Sequence, residues 1–103
     1  MNIQKMLKQA QQMQAKMAET QDDLAKKTVE ASAGGGKVKV VANGVGDVLS
    51  IKIDPSVVDP QDVELLEDLV LVAVQDAIAS GKQLSATEMG KLTAGLNIPG
   101  LPF

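Results

Sequence analysis

The strongest constraint in this sequence is a long apolar stripe near its beginning. Apolar or small residues recur at alternating spacings of three and four, the a/d pattern of a helix that packs along one seam. We call this set the apolar seam; it consists of Ile3, Met6, Ala10, Met13, Met17, Thr20 and Leu24. A helix over residues 2–27 would be about 39 Å long, whereas a compact chain of this size has a radius of gyration of about 13 Å. The helix must therefore project, and we expect the same helix of a second copy to cover its seam.

Three short segments after the helix predict a β-sheet. Apolar residues alternate with polar ones over residues 28–33, 37–42 and 49–53, which is the period of a half-buried strand. A run of three glycines separates the first two segments. Asn43-Gly44, followed by an expected bulge at Gly46, separates the last two and strongly favours a β-hairpin. We therefore predict a three-stranded antiparallel meander with one apolar face that needs a covering helix.

The next segment predicts a helix that is buried on two sides. Asp59 and Pro60 have the residue types of an N-cap and a first helical position, so we expect the helix to begin there. The apolar residues between positions 63 and 78 form too wide an arc for a single stripe. One side of the arc can face the sheet, and the other side predicts contact with a second protomer.

Two features predict that the C-terminal region contains a second, shorter helix. Ser80-Gly81 is expected to end or kink the preceding helix, because glycine is common just after helix C-termini. Ser85 and Glu88 match the spacing of a capping box, which predicts a short helix over residues 86–94.

Length and composition limit the function. The 103 residues predict one domain over residues 1–95, followed by an apolar tail, residues 96–103, that contains two prolines and is expected to be disordered. The sequence has no Cys, His, Trp, Tyr or Arg, which leaves no thiol or imidazole for catalysis and poor ligands for zinc or haem. We therefore expect no enzyme activity, cofactor, metal or small-molecule substrate. The polar N-terminus and the lack of a long apolar run predict no signal peptide and no membrane segment.

Charge is distributed unevenly along the chain. Residues 1–53 hold eight lysines against five acids, and residues 54–103 hold two lysines against eight acids. Within the predicted first helix, Lys5, Lys8, Gln12 and Lys16 are spaced by three, four and four residues, so they share one helical face away from the seam. We call these four residues the basic stripe.

The basic stripe has two interpretations. Lysine and glutamine side chains contact phosphate oxygens in nucleic acids, but the same pattern is found on the solvated exterior of coiled coils. Without arginine, the commonest guanine contact is missing, and without Trp, Tyr or His, stacking on single-stranded bases is nearly excluded. If the stripe binds nucleic acid, we expect duplex phosphates to be the target, with little dependence on sequence.

Several motifs, in order along the chain, resemble the YbaB/EbfC family of small bacterial nucleoid-associated DNA-binding proteins. They are Met6–Met17 (MLKQAQQMQAKM), Ala33–Val40 (AGGGKVKV), Asn43-Gly44, Ile53–Ser56 (IDPS), Leu66–Val70 (LEDLV) and Met89–Thr93 (MGKLT). The resemblance implies an α+β fold and an intertwined homodimer whose helices project like tweezers from a shared sheet. It also implies double-stranded DNA as partner, a location in the cytoplasm and nucleoid, and roles in nucleoid organisation and gene regulation.

Carried over to this sequence, the resemblance makes Lys5, Lys8, Gln12, Lys16 and Lys91 the candidate DNA contacts. The candidate dimer contacts come from the seam and the central helix: Met6, Ala10, Met13, Met17, Leu66, Leu69, Val70 and Ala73. An alternative function from a different class remains open. A non-enzymatic adaptor of the same fold would hold a protein client on the Met-rich seam or on the apolar tail.

Overall fold

The first helix has the length that the seam predicts. In this computed structural model, which describes residues 2–94, α1 spans Ile3–Lys26. The Asn2 side chain caps its start by accepting a hydrogen bond of 3.1 Å from the backbone N–H of Lys5. Leu24 is the one residue of α1 classed as buried, so most of the helix projects into solvent.

The three predicted strands form the predicted meander. They are β1 (Thr28–Ala33), β2 (Val38–Asn43) and β3 (Val48–Ile53), paired antiparallel in the order β1-β2-β3. The bulge expected at Gly46 is wrong: the register shifts where Val41 pairs with Ser50 and Ala42 pairs with Val48, which leaves Leu49 as the extra residue. Gly46 lies in the hairpin loop, where its φ of 90° suits a residue without a Cβ.

The C-terminal region is one helix, so the predicted break and the separate short helix are wrong. Helix α2 spans Val63–Ala94 without interruption. Gly81 is buried within it, and a Cβ there would lie only 2.3 Å from the backbone oxygen of Asn43. The glycine therefore permits a close approach to the hairpin instead of ending the helix, and Ser85 is a mid-helix residue and not a cap.

The start of α2 also differs from the prediction. Asp59 Oδ1 accepts a hydrogen bond of 2.9 Å from the backbone N–H of Gln61, which makes a turn before the helix. The side chain of Asp62 then accepts from the N–H of Leu65 at 3.3 Å, as an N-cap does. Asp59 and Pro60 therefore lie in the turn that precedes α2 and do not begin the helix.

The core lies between the sheet and the middle of α2, and it is small. Its fully buried members are Val38, Val40, Ala42, Ala73 and Ala77. The radius of gyration is 19.7 Å, with extents of 71 × 23 × 16 Å, well above the value of about 13 Å for a compact chain of this length. The predicted tail, residues 96–103, lies outside the described residues. Neither helix in residues 2–94 has a segment long and apolar enough to cross a membrane.

Candidate nucleic-acid interface

The basic stripe lies on the projecting part of α1. Lys5, Lys8, Gln12 and Lys16 are all exposed. From the first to the last of them the helix rises by about 17 Å, which corresponds to about five base pairs of duplex DNA. The stripe is therefore long enough to contact several phosphates at once.

The electrostatic surroundings of the stripe favour an anion. Among residues 2–94, the ion pairs shorter than 4 Å do not involve Lys5, Lys8 or Lys16. The first turn of α1 has no acidic residue, so the positive end of the helix dipole is not neutralised by its own helix. These lysines therefore keep their charges available to an external phosphate.

Lys91 has a different environment from the stripe. It lies on α2, and its ammonium group is 3.5 Å from the carboxylate of Glu88, which also lies 3.8 Å from the ammonium group of Lys27. One carboxylate thus offsets part of the charge of two lysines. Of the five candidate DNA contacts, Lys91 is the one whose charge is paired with another residue of the described range 2–94.

The apolar seam faces away from the basic stripe. With 3.6 residues per turn, the centres of the two sets are about 125° apart around the axis of α1. The exposed fraction is 64% for Ile3 and 59% for Met6, whereas Met13 is half-buried and Leu24 is fully buried. A phosphate contact on one side of α1 therefore leaves the other side accessible to protein.

A second apolar surface lies where α2 passes the edge strand β3. It is an open groove of about 470 Å³ lined by Ile53, Leu66, Glu67, Val70, Leu71 and Val74. The strand beside it is exposed along its whole length, including Leu49 and Ile51. We call this surface the apolar groove.

The structure brings together only some of the predicted dimer contacts. Leu66 and Val70 line the apolar groove, and Leu69 packs against the core. Ala73 is fully buried inside its own chain, so it offers no surface to a partner, and its assignment to an interface is not retained. Ile53, Leu71 and Val74 also line the groove and were not among the predicted contacts. The excess width of the apolar arc in α2 was the signal available for Leu71 and Val74, whereas Ile53 lies in β3 and had no such signal.

Asp54, which directly follows β3, has a structural role. The pKa of Asp54 is lowered, first by the hydrogen bond from the backbone N–H of Ser56 and also by Lys37, whose ammonium group lies 3.6 Å away. Within residues 2–94, no group of three or more carboxylates is placed to hold a metal ion. The Asp54 carboxylate is thus in contact with Ser56 and Lys37 at the end of β3.

Comparison with known proteins places these features in a family. The family model of the YbaB/EbfC DNA-binding family matches residues 1–96. A nucleoid-associated protein of Thermoanaerobacter pseudethanolicus is 58% identical over 100 residues, which is 97% of this chain and 90% of that protein. One from Desulforamulus reducens is 56% identical over 97% of this chain and 95% of its own length.

A solved structure shows the same fold in a distant protein. The crystal structure of an uncharacterized protein from Helicobacter pylori superposes with a TM-score of 0.80 at 18% identity, covering 90% of this chain and 98% of that one. At this level of identity the likeness concerns the fold alone. The family match over residues 1–96 and the relatives at 56–58% identity show that the chain belongs to the YbaB/EbfC DNA-binding family.

Proposed function

We propose that this protein binds double-stranded DNA as a homodimer and acts in the nucleoid, where it contributes to nucleoid organisation and gene regulation. The observation that carries the proposal is the basic stripe. Its three lysines are exposed on a projecting helix and, within residues 2–94, have no acidic partner. Family membership supports DNA as the anion that they contact.

The binding mechanism is contact with the phosphate backbone. Each lysine that meets a phosphate releases condensed counterions, which drives association without regard to base sequence. The sequence has no arginine for guanine recognition and no tryptophan, tyrosine or histidine, so base readout and base stacking contribute little. The protein therefore recognises the duplex by its charge and shape.

The proposed homodimer is supported by the large surface that the single chain leaves exposed, which includes apolar side chains such as Leu49, Ile51 and Leu71. The accessible area is 7411 Å², whereas a monomer of this mass exposes about 5,500 Å² on average. The excess is larger than the roughly 800 Å² that each partner buries in a standard interface. A second copy packed on the apolar groove would cover Ile53, Leu71 and their neighbours, and it would give the assembly two α1 helices.

Fluorescence anisotropy of a labelled generic duplex tests the proposal. We expect the triple variant Lys5→Gln, Lys8→Gln and Lys16→Gln to lose most of the affinity of the wild-type protein. The matched control replaces three exposed lysines outside α1, Lys39→Gln, Lys52→Gln and Lys82→Gln, which changes the net charge equally. Equal losses in the two triple variants would mean that net charge, and not the basic stripe, governs binding.

The exposed apolar seam favours a second candidate function, that of a protein-binding adaptor. Ile3 and Met6 are more than half exposed, and an apolar surface of this kind commonly marks a protein contact. This function predicts no duplex binding by the wild-type protein even at low salt. Detection of salt-sensitive binding that depends on the basic stripe would exclude it as the main function.

A further inference from the structure

Asn43 connects the hairpin to the end of α1, although the two are far apart in sequence. Its side-chain N–H donates to the backbone oxygen of Ala25 at 3.3 Å. Its side-chain oxygen accepts from the backbone N–H groups of Val45 at 3.1 Å and Asp47 at 2.9 Å. The residue is only 4% exposed, so its side-chain amide depends on these partly buried bonds and is costly to leave without partners.

Gly44 extends the same connection. Its backbone N–H donates to the carbonyl oxygens of Leu24 at 2.8 Å and of Lys27 at 3.0 Å. The last carbonyls of a helix have no partner within the helix, and here the hairpin provides partners for them. A Cβ on Gly44 would lie 2.8 Å from both the Leu24 side chain and its carbonyl oxygen, so the backbones meet as closely as glycine allows.

Helix α2 also contacts the hairpin at this point. Gly81 packs directly on the backbone of Asn43, where any larger residue would overlap the Asn43 oxygen. We call these four residues, Leu24, Asn43, Gly44 and Gly81, the junction. It joins α1, the β2–β3 hairpin and α2 at one point, and Leu24 is the buried residue of α1.

We infer that Asn43 is a positioning residue: through the junction it sets the angle at which α1 leaves the sheet, and hence the spacing of the two basic stripes in a dimer. The second part of this inference, the spacing of the two basic stripes, rests on the proposed function. From the junction to Ile3 the helix extends about 31 Å. A tilt of about 10° at the junction would therefore move the tip by about 5 Å, more than the rise of one base pair along the duplex.

The variant Asn43→Asp tests the inference with nearly the same side-chain shape. Aspartate keeps the oxygen that accepts from Val45 and Asp47, but it cannot donate to Ala25, and it places a negative charge beside that carbonyl. Gln83→Glu is the matched control, because it adds the same charge at an exposed position of α2.

The direct measurement is the distance between α1 and the sheet. The sequence has no cysteine, so spin labels can be attached at Gln11→Cys on α1 and Ser32→Cys on β1, in protein diluted with unlabelled chain. We expect one narrow distance distribution for the wild-type protein and for Gln83→Glu, and a broad or displaced one for Asn43→Asp. An unchanged distribution in Asn43→Asp would overturn the inference.

Duplex binding provides the second readout. We expect the affinity of Asn43→Asp to fall about tenfold, because two stripes that no longer match the duplex together lose part of their bivalent advantage. The salt dependence should stay the same, since the lysines are intact. A broadened distance distribution with unchanged affinity would refute the link between the junction and binding.

A second variant keeps the test decisive if Asn43→Asp does not fold. Leu24→Ala weakens the packing of the same junction while leaving the side-chain hydrogen bonds of Asn43 in place, and we expect it also to broaden the distribution. The distance is measured without DNA, so its result tests the junction whether or not the protein binds a duplex. Absence of duplex binding by the wild-type protein would instead count against the proposed function.

Discussion

Replacing Gly81 by alanine provides a sharp test of how α2 is packed. In the middle of an exposed helix, alanine is more favourable than glycine by about 0.8–1 kcal/mol. At position 81, however, the new Cβ would lie 2.3 Å from the backbone oxygen of Asn43. The neighbour is backbone and cannot rotate away, so α2 or the hairpin must shift by about 1 Å, and overpacking of this kind costs about 1–3 kcal/mol. After the gain in helix propensity is subtracted, we expect Gly81→Ala to change the free energy of unfolding by between about 0 and −2 kcal/mol, so that the variant is not stabilised.

Gly90→Ala in the same helix is the matched control. Apart from the local helix backbone, no atom of residues 2–94 lies within 4 Å of a Cβ at that position, so only the helix propensity should change, and stability should rise by about 0.5–1 kcal/mol. Urea unfolding followed by circular dichroism at one fixed protein concentration measures both variants, because dimerisation would otherwise alter the apparent stability. If Gly81→Ala stabilises the protein as much as Gly90→Ala does, the close contact with Asn43 is wrong.

Three further predictions concern the apolar groove, Asp54 at the end of β3, and Lys91 on α2. Leu71→Glu should halve the mass measured by light scattering, because a charge in the apolar groove opposes packing of a second copy; an unchanged dimer mass would contradict this. The lowered pKa of Asp54 contributes stability that is present above about pH 4 and is lost as the pH falls through the folded value, so the stability difference between wild-type and Asp54→Asn should shrink in acid. A difference that grows in acid would refute the assignment. Lys91→Gln should weaken duplex binding less than Lys8→Gln, because Glu88 already offsets the Lys91 charge; an equal loss in anisotropy titrations would count against this.

The elements with a sustained period were predictable from the sequence. The seam predicts α1 because seven positions follow one pattern of alternating three- and four-residue spacings, and the alternation in residues 37–42 and 49–53 predicts β2 and β3 nearly to their ends. The basic stripe was also predictable, since its residues belong to a single helix whose periodicity fixes which of them share a face.

The features that were missed depend on contacts between distant parts of the chain. Gly81 has the local signature of a helix end, but its backbone contact with Asn43 cannot be read from the neighbouring residues. Asn43-Gly44 correctly indicates a hairpin, yet its hydrogen bonds to the end of α1 are set by the tertiary fold. Leu71 and Ile53 meet in the apolar groove because α2 crosses β3, which no single-segment pattern predicts.

The salt dependence of duplex binding tests the central claim most directly. If three lysines from each of two chains contact phosphates, about six charges are neutralised, and the logarithm of the association constant should fall with the logarithm of salt concentration at a slope of about −5. The variant Lys5→Gln, Lys8→Gln and Lys16→Gln should retain little of this slope. A slope near zero for the wild-type protein, in an otherwise well-defined binding curve, would contradict a phosphate-based mechanism.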